Sequence, residues 1–267
     1  VDSSHYVHQL DRDTLAIDDG DLERVDRQLL RMVDDATRRL SDTGRSFSGQ
    51  VMLNGFSASG NFVDRFTVLH PDRVSSVTAG GLNGMALLPL EEAKGRTLNY
   101  HVGIADVEEL TGDPVDLEAI DEVDQFLYMG SEDTNDTIPY TDAWTSDELR
   151  ETALEVYGED MIEDRFPYCQ TAYEKAGVTA QFRVYDGAGH TPRPATEDVI
   201  EFHRKSLEGE DVSDFGVELG LNPAFESTPA DPAVGHVVEF DASESETGHG
   251  KILSYSWNFD DGGSASG

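Results

Sequence analysis

The chain has 267 residues, 37% of them hydrophobic, with 54 acidic side chains against 19 basic ones, a formal net charge of −35. That apolar share supports a packed core and argues against wholesale disorder. The negative charge disfavours a nucleic-acid partner, whose phosphates it would repel. The single cysteine, Cys169, excludes an intramolecular disulfide and a thiolate metal site.

No stretch approaches the roughly 20 consecutive apolar residues of a membrane-spanning helix. The acid is spread from Asp2 to Asp261, and only four basic residues are lysines. Self-repulsion of this kind weakens a compact state. In molar salt, where the Debye length is about 3 Å, it largely disappears. An evenly acidic, lysine-poor surface of this kind resembles that of haloarchaeal proteins. The opening VDSSHYVHQLDRDTL has no signal-like start, and WNFDDGGSASG stops inside an unfinished pattern, so both ends read as interior to a longer protein.

In chain order, an Asp of Asp18–Asp21 can cap a helix over Leu22–Leu40, whose apolar positions Val25, Leu29, Val33, Ala36 and Leu40 recur at three or four residues. Gln50–Asn54 reads as a buried strand. It turns through Gly55-Phe56-Ser57-Ala58-Ser59-Gly60 into a helical pattern, Asn61–Leu69, which Pro71 stops. Strands are predicted at Val74–Gly81, Leu98–Ile104, Gln125–Met129 and Ala180–Tyr185. Helices are predicted at Ser146–Tyr157, Glu159–Lys175 and Thr196–Leu207. Alternating strands and helices, with several strands apolar on both faces, predict a mainly parallel sheet covered by helices on each side. In such sheets the site lies beyond the C-terminal ends of the strands. The loops holding Ser57, Asp133 and His190 all fall there. From Glu208 the composition shifts to a Gly- and acid-rich linker (208–222), then to β-like runs at Val234–Phe240 and Ile252–Phe259.

A hydroxyl nucleophile on a tight strand-to-helix turn needs small neighbours two residues to either side, because the turn is strained. Gly55 and Ser59 supply them around Ser57, with Ser59 standing where Gly is usual. Centred on Ser59 instead, the flanks would be Ser57 and Asn61, a poorer fit. The same turn leaves the Ala58 amide at a helix N-terminus, aimed at developing negative charge. A serine also needs a base and an orienting acid, in the order Ser, acid, His for this fold. His190, after a strand in Gly-Ala-Gly-His-Thr, is the expected base. His70, His101 and His203 fit worse, and His5, His8, His236 and His249 lie near the ends. Asp133 is the expected acid, with Glu132 and Asp136 competing on the same loop. The interval 138–167, with Trp144, Tyr157, Met161 and Phe166, reads equally as a lid or as helix packed on the sheet. No cofactor and no metal is expected.

GFSASG, then NFVDRFTVLHPDRVSSVTAGG, GSEDTND and YDGAGH, resembles the serine-hydrolase core of the α/β-hydrolase superfamily. The run FTVLHPDRV before a strand ending in Gly-Gly is similar to its esterase and depolymerase-like members. The resemblance implies an α/β-hydrolase domain over 1–207 and esterase-type acyl transfer on Ser57, Asp133 and His190. It also implies that the first strands of the sheet and a second oxyanion donor lie ahead of Val1. Val237–Ser243 and Ile252–Gly262, with Tyr-x-Trp-x-Phe-x-Asp-Gly from Tyr255, resemble the first half of a PKD domain, a β-sandwich (223–267) in which Trp257 and Phe259 suit the core. That second likeness implies a secreted or cell-surface enzyme whose appended module contacts polymer or cell surface. The expected substrate is an ester, small or polymeric. A peptidase of the same fold and a catalytically dead surface-binding protein are the alternatives.

Overall fold

The computed structural model describes residues 7–141, 144, 146–216, 221–222, 224–229, 237–247, 255–258 and 264–266. Its centre is one parallel sheet of four strands, β1 (Val51–Phe56), β2 (Val74–Gly80), β3 (Asp124–Gly130) and β4 (Gln181–Tyr185), adjacent in that order. Leu53 lies opposite Val77, Ala79 opposite Leu127, and Leu127 opposite Phe182. Apart from Ser75 and Asp124, every residue of β2 and β3 is buried, as a parallel sheet covered on both faces requires.

Five longer helices accompany the strands: α1 (Val25–Ser41), α2 (Ala58–Leu69), α3 (Asp147–Tyr157), α4 (Phe166–Ala176) and α5 (Thr196–Glu208). Side chains alternate along a strand, so Phe126 and Tyr128 point to one face and Leu127 to the other. The first face is closed by Phe202 of α5 with Ala195 and Phe215. On the second, Phe182 takes Phe166 and Tyr173 of α4 edge-on at 5.4 Å. Strand, helix and covered parallel sheet together form the α/β layering anticipated from the sequence.

Several local expectations change. The opening helix begins at Val25 after Arg24 in a left-handed conformation (φ 44), so no aspartate caps it. β1 is less enclosed than a buried strand, with Met52 and Asn54 exposed. Among the described residues it pairs only with β2, which leaves its other edge without a neighbour. Leu98–Ile104 is a buried loop instead of a strand. Val102 and Gly103 N both donate to Asn99 O, and Leu98, Tyr100 and Ile104 N donate to Glu91 O, Asp106 Oδ1 and Leu90 O in the flanking segments, while Leu98, Tyr100 and Val102 are fully enclosed. Burial there is achieved by turns, which an apolar run cannot distinguish from a strand. The helix expected over 159–175 is divided into a wide π-turn at Met161–Arg165 and then α4, with Pro167 in its first turn, where a missing N–H costs nothing.

The chain divides into two units, Val1–Val217 and Glu218–Gly267. Within the stretch read as a linker, Phe215 is buried against Phe126 and Phe202, and Gly216 N donates to Gln181 Oε1. The second unit contains antiparallel pairs, Leu221–Asn222 with Glu246–Thr247, Glu226–Thr228 with Glu239–Asp241, and Ser256–Asn258 with Ser264–Ser266. Trp257 lies 5.4 and 5.5 Å from the Phe240 and Phe225 rings. The expected core residue Phe259, Asp260–Gly262 and residues 234–236 and 252–254 of the two β-like runs lie outside the described residues.

Candidate active site

β1 runs into Ser57 and α2 leaves it. Ser57 has φ 59 and ψ −128, a conformation costing a non-glycine residue about 1–3 kcal/mol. The turn is held by Ser57 N donating to Gly80 O at 2.8 Å and by Asn61 N and Nδ2 donating to Ser57 O. Its tightness is visible at two glycines: a Cβ on Gly55 would sit 2.1 Å from Ser59 O, and one on Gly60 2.5 Å from Gly80 O. Ser59, the departure from the usual glycine, points outward. Its hydroxyl accepts from Phe56 N and donates to Phe56 O. The close approach of helix to strand therefore falls on Gly60. Ser57 is the residue before the first turn of α2 and makes no side-chain cap, while the Ala58 N–H sits at the helix's positive end.

Asp133 follows the end of β3, and its side chain is 1% exposed. Oδ1 accepts from Asn135 N at 2.9 Å, and Oδ2 pairs with His190 Nδ1 at 2.8 Å. The two loops are zipped together beneath this contact: Ser131 N donates to Tyr185 O, Glu132 N to Ala188 O, and Gly187 N to Ser131 Oγ. A Cβ on Gly130 would strike Ala188 O at 2.2 Å. The competing acids are placed differently. Glu132 is exposed, and Asp136 pairs with Arg165 at 2.5 Å.

The His190 ring packs 4.7 Å from that of Phe56, the residue before Ser57, and its Cε1 lies 3.1 Å from the point where a Gly81 Cβ would be. Acid and imidazole thus meet directly, and the serine elbow adjoins the imidazole through Phe56 and the Gly80–Gly81 turn. Nε2 of His190 contacts the Asn135 amide nitrogen at 3.2 Å.

The other described histidines are committed elsewhere. His203 on α5 is bonded to Ser76 and Thr78 hydroxyls between helix and sheet, and burial lowers its pKa. His70 bonds Asp26. Burial alone would raise that carboxyl, but the bonds from His70 and Arg24 outweigh it and hold Asp26 well below the usual carboxylate range. His101 is half-buried, accepts from Arg12 N and stacks on Trp144 at 5.0 Å. His5, His236 and His249 lie outside the described residues.

The interval once open between lid and packed helix is largely packed. Tyr157, Met161 and Phe166 are buried, and the Tyr157 hydroxyl bonds Ala86 O and Val102 O. Sequence reasoning missed Asn135, Phe56 and Arg165. The fully buried Arg165 holds Asn83 O, Glu159 O and Asp136 together. No sequence signal marked it, because Arg165 follows Glu163 and Asp164 in an ordinary charged helical pattern.

Residues 222–267 match the PKD domain family. No curated protein sequence matches the chain. Among solved structures, a ferulic acid esterase is similar at 16% identity and TM-score 0.35, over 63% of this chain and 58% of that one. SOBER1 of Arabidopsis thaliana is similar at 15% and 0.33 (67% and 64%). Est1E from Butyrivibrio proteoclasticus is similar at 14% and 0.31 (66% and 69%). The chain thus spans less than two thirds of the first two. It combines a parallel sheet with helices, its first strand turning into a helix at Ser57, with a C-terminal segment that matches the PKD family.

Proposed function

We propose that the protein is a serine hydrolase that cleaves carboxylic esters through an acyl-enzyme on Ser57. The observation that carries this reading is the buried Asp133 carboxylate on His190 Nδ1, set beside a strained serine at a strand-to-helix turn. With Nδ1–H committed to Asp133, Nε2 is the nitrogen left to take a proton. In the first half-reaction Ser57 Oγ attacks the acyl carbon and its proton passes to His190 Nε2. The Ala58 N–H donates to the oxyanion. Collapse of the tetrahedral intermediate breaks the ester C–O bond, and His190 returns the proton to the leaving alcohol. Water then repeats the sequence and releases the acid.

The preference for esters over amides rests on the esterase-like run from Phe66 to Val74. Ester substrates of polymeric type, and a secreted or cell-surface setting, follow from the PKD segment, since domains of that family serve as spacers and polymer-contacting modules outside cells. The acidic composition fits work in concentrated salt. Among the described residues no helix is long and apolar enough to cross a membrane.

The test is fluorophosphonate labelling of the whole chain in molar KCl, followed by turnover of p-nitrophenyl esters and peptide substrates. Labelling abolished by Ser57→Ala, with ester turnover, is expected. Labelling that survives the substitution sinks the nucleophile, and turnover of peptides alone sinks the ester reading.

A further inference from the structure

The lone pair of His190 Nε2 is the acceptor that the proposed chemistry requires, and a side chain already occupies it. Asn135 Nδ2 stands 3.2 Å from Nε2. The amide orientation is dictated by the other ring nitrogen. Asp133 Oδ2 lies 2.8 Å from Nδ1, so in the neutral ring, the form that serves as base, Nδ1 carries the hydrogen and Nε2 accepts, which calls for the Asn135 NH2. One in-plane lone pair takes one strong donor. While the amide is bonded there, the Ser57 hydroxyl cannot pass its proton to the ring.

The loop makes this contact a consequence of acid placement. Asn135 N donates to Asp133 Oδ1 at 2.9 Å, so the residue that fixes the second carboxylate oxygen also brings its own side chain to the imidazole. Asn135 is exposed, and its side chain can leave by a rotamer change into water, a motion of picoseconds to nanoseconds.

We propose that Asn135 is a positioning residue that caps His190 Nε2 in the free enzyme and must release it before Ser57 is activated. The cap holds the imidazole in place between turnovers and competes with the nucleophile for the base. The proposal rests on the serine-hydrolase reading, and its test separates the two.

Asn135→Ala and Asn135→Leu remove the amide and keep the backbone bond to Asp133. An ordinary hydrogen bond lost to the competitor corresponds to about a fivefold gain. Each variant is therefore expected to label with fluorophosphonate about fivefold faster than wild type. kcat on p-nitrophenyl acetate should rise by a similar factor, with KM within about twofold. In histidine-15N-labelled protein the Nε2 resonance of His190 should move in both variants while the Nδ1–H signal persists. Labelling and kcat unchanged or lowered, with Ser57 still the labelled residue, would overturn the cap alone. An unmoved Nε2 resonance overturns it too, independently of any chemistry. Labelling that persists in Ser57→Ala brings down the hydrolase reading and the cap with it.

Discussion

The Asp133 carboxylate meets His190 Nδ1 at 2.8 Å from a position almost fully shielded from water, while its other oxygen is held by the Asn135 amide N–H. A carboxylate so placed fixes the ring's tautomer and offsets the charge that forms on it. Asp133→Asn would present an NH2 to Nδ1 and favour the hydrogen on Nε2, the wrong nitrogen for a base. A loss of about four orders of magnitude in kcat with KM changed only a few-fold is the expected result of steady-state ester hydrolysis. Near-normal kcat in this variant would move the acid to another residue of the loop.

The elbow makes a second prediction. Gly55 and Gly60 leave no room for a methyl group, since their nearest contacts are backbone oxygens that cannot move aside. Gly60→Ala should press α2 off β2 and lower stability by about 1–3 kcal/mol, the usual range for overpacking, with loss of fluorophosphonate labelling. Ser59→Gly loses only the hydroxyl's two bonds to Phe56, a cost of about 1 kcal/mol by thermal unfolding, and should keep most activity. If the two substitutions ranked in the opposite order, the packing account of the elbow would be wrong.

What the sequence made legible follows from which constraints are local. The strand, turn and helix around Ser57 are written in adjacent residues, as is the glycine turn that ends β4 and carries His190. The parallel sheet could be read from runs such as Gln125–Met129, apolar on both faces. Partnerships between distant segments left no such trace. Nothing in Asn135 or Arg165 announces the loops they meet, because a hydrogen bond across 29 or 55 residues imposes no period on the chain. Leu98–Ile104 misled for a related reason. Apolar residues signal burial, and a turn together with bonds to the flanking segments satisfies the backbone as well as a strand would.

Arg165 carries a third prediction. Its guanidinium is fully enclosed and joins the loop after β2, the segment before the π-turn, and the acid loop at Asp136. Thr137, next in the chain, donates its N–H to Asn83 Oδ1, tightening the same junction. Asp136→Asn leaves that buried cation without its counter-charge. Removing one partner of a buried pair costs about 3–5 kcal/mol, and partial exposure of Asp136 places this case at or below the low end. The expected readout is a lowered midpoint of thermal unfolding with kcat reduced more than KM, since the loop that aims Asp133 loosens. A variant as stable and as active as wild type would show that the brace is dispensable.

Asp64, on the helix that begins at the elbow, gives stability a pH dependence of definite sign. Burial pushes its carboxyl up to about 6 from an ordinary 3.8, against the lowering influence of the Leu87 N–H, Arg65 and the Tyr173 hydroxyl. The unfolded chain releases this proton near pH 4, whereas the fold keeps it until about pH 6. Between those values the folded state binds more protons, so the stability due to Asp64 falls as pH rises, by about 3 kcal/mol in all, and is level above. Asp64→Asn is neutral throughout and still offers an oxygen to Leu87 N–H, so it lacks this slope. Unfolding free energies of both proteins in molar KCl at pH 4, 5, 6 and 7 isolate the contribution, because the other carboxylates cancel in the difference. Wild type minus variant should decline from pH 4 to 6 and then flatten. A difference that instead grows with pH would mean that Asp64 is ionised in the fold well below pH 6, with its charge stabilised there by Arg65 and its hydrogen-bond donors.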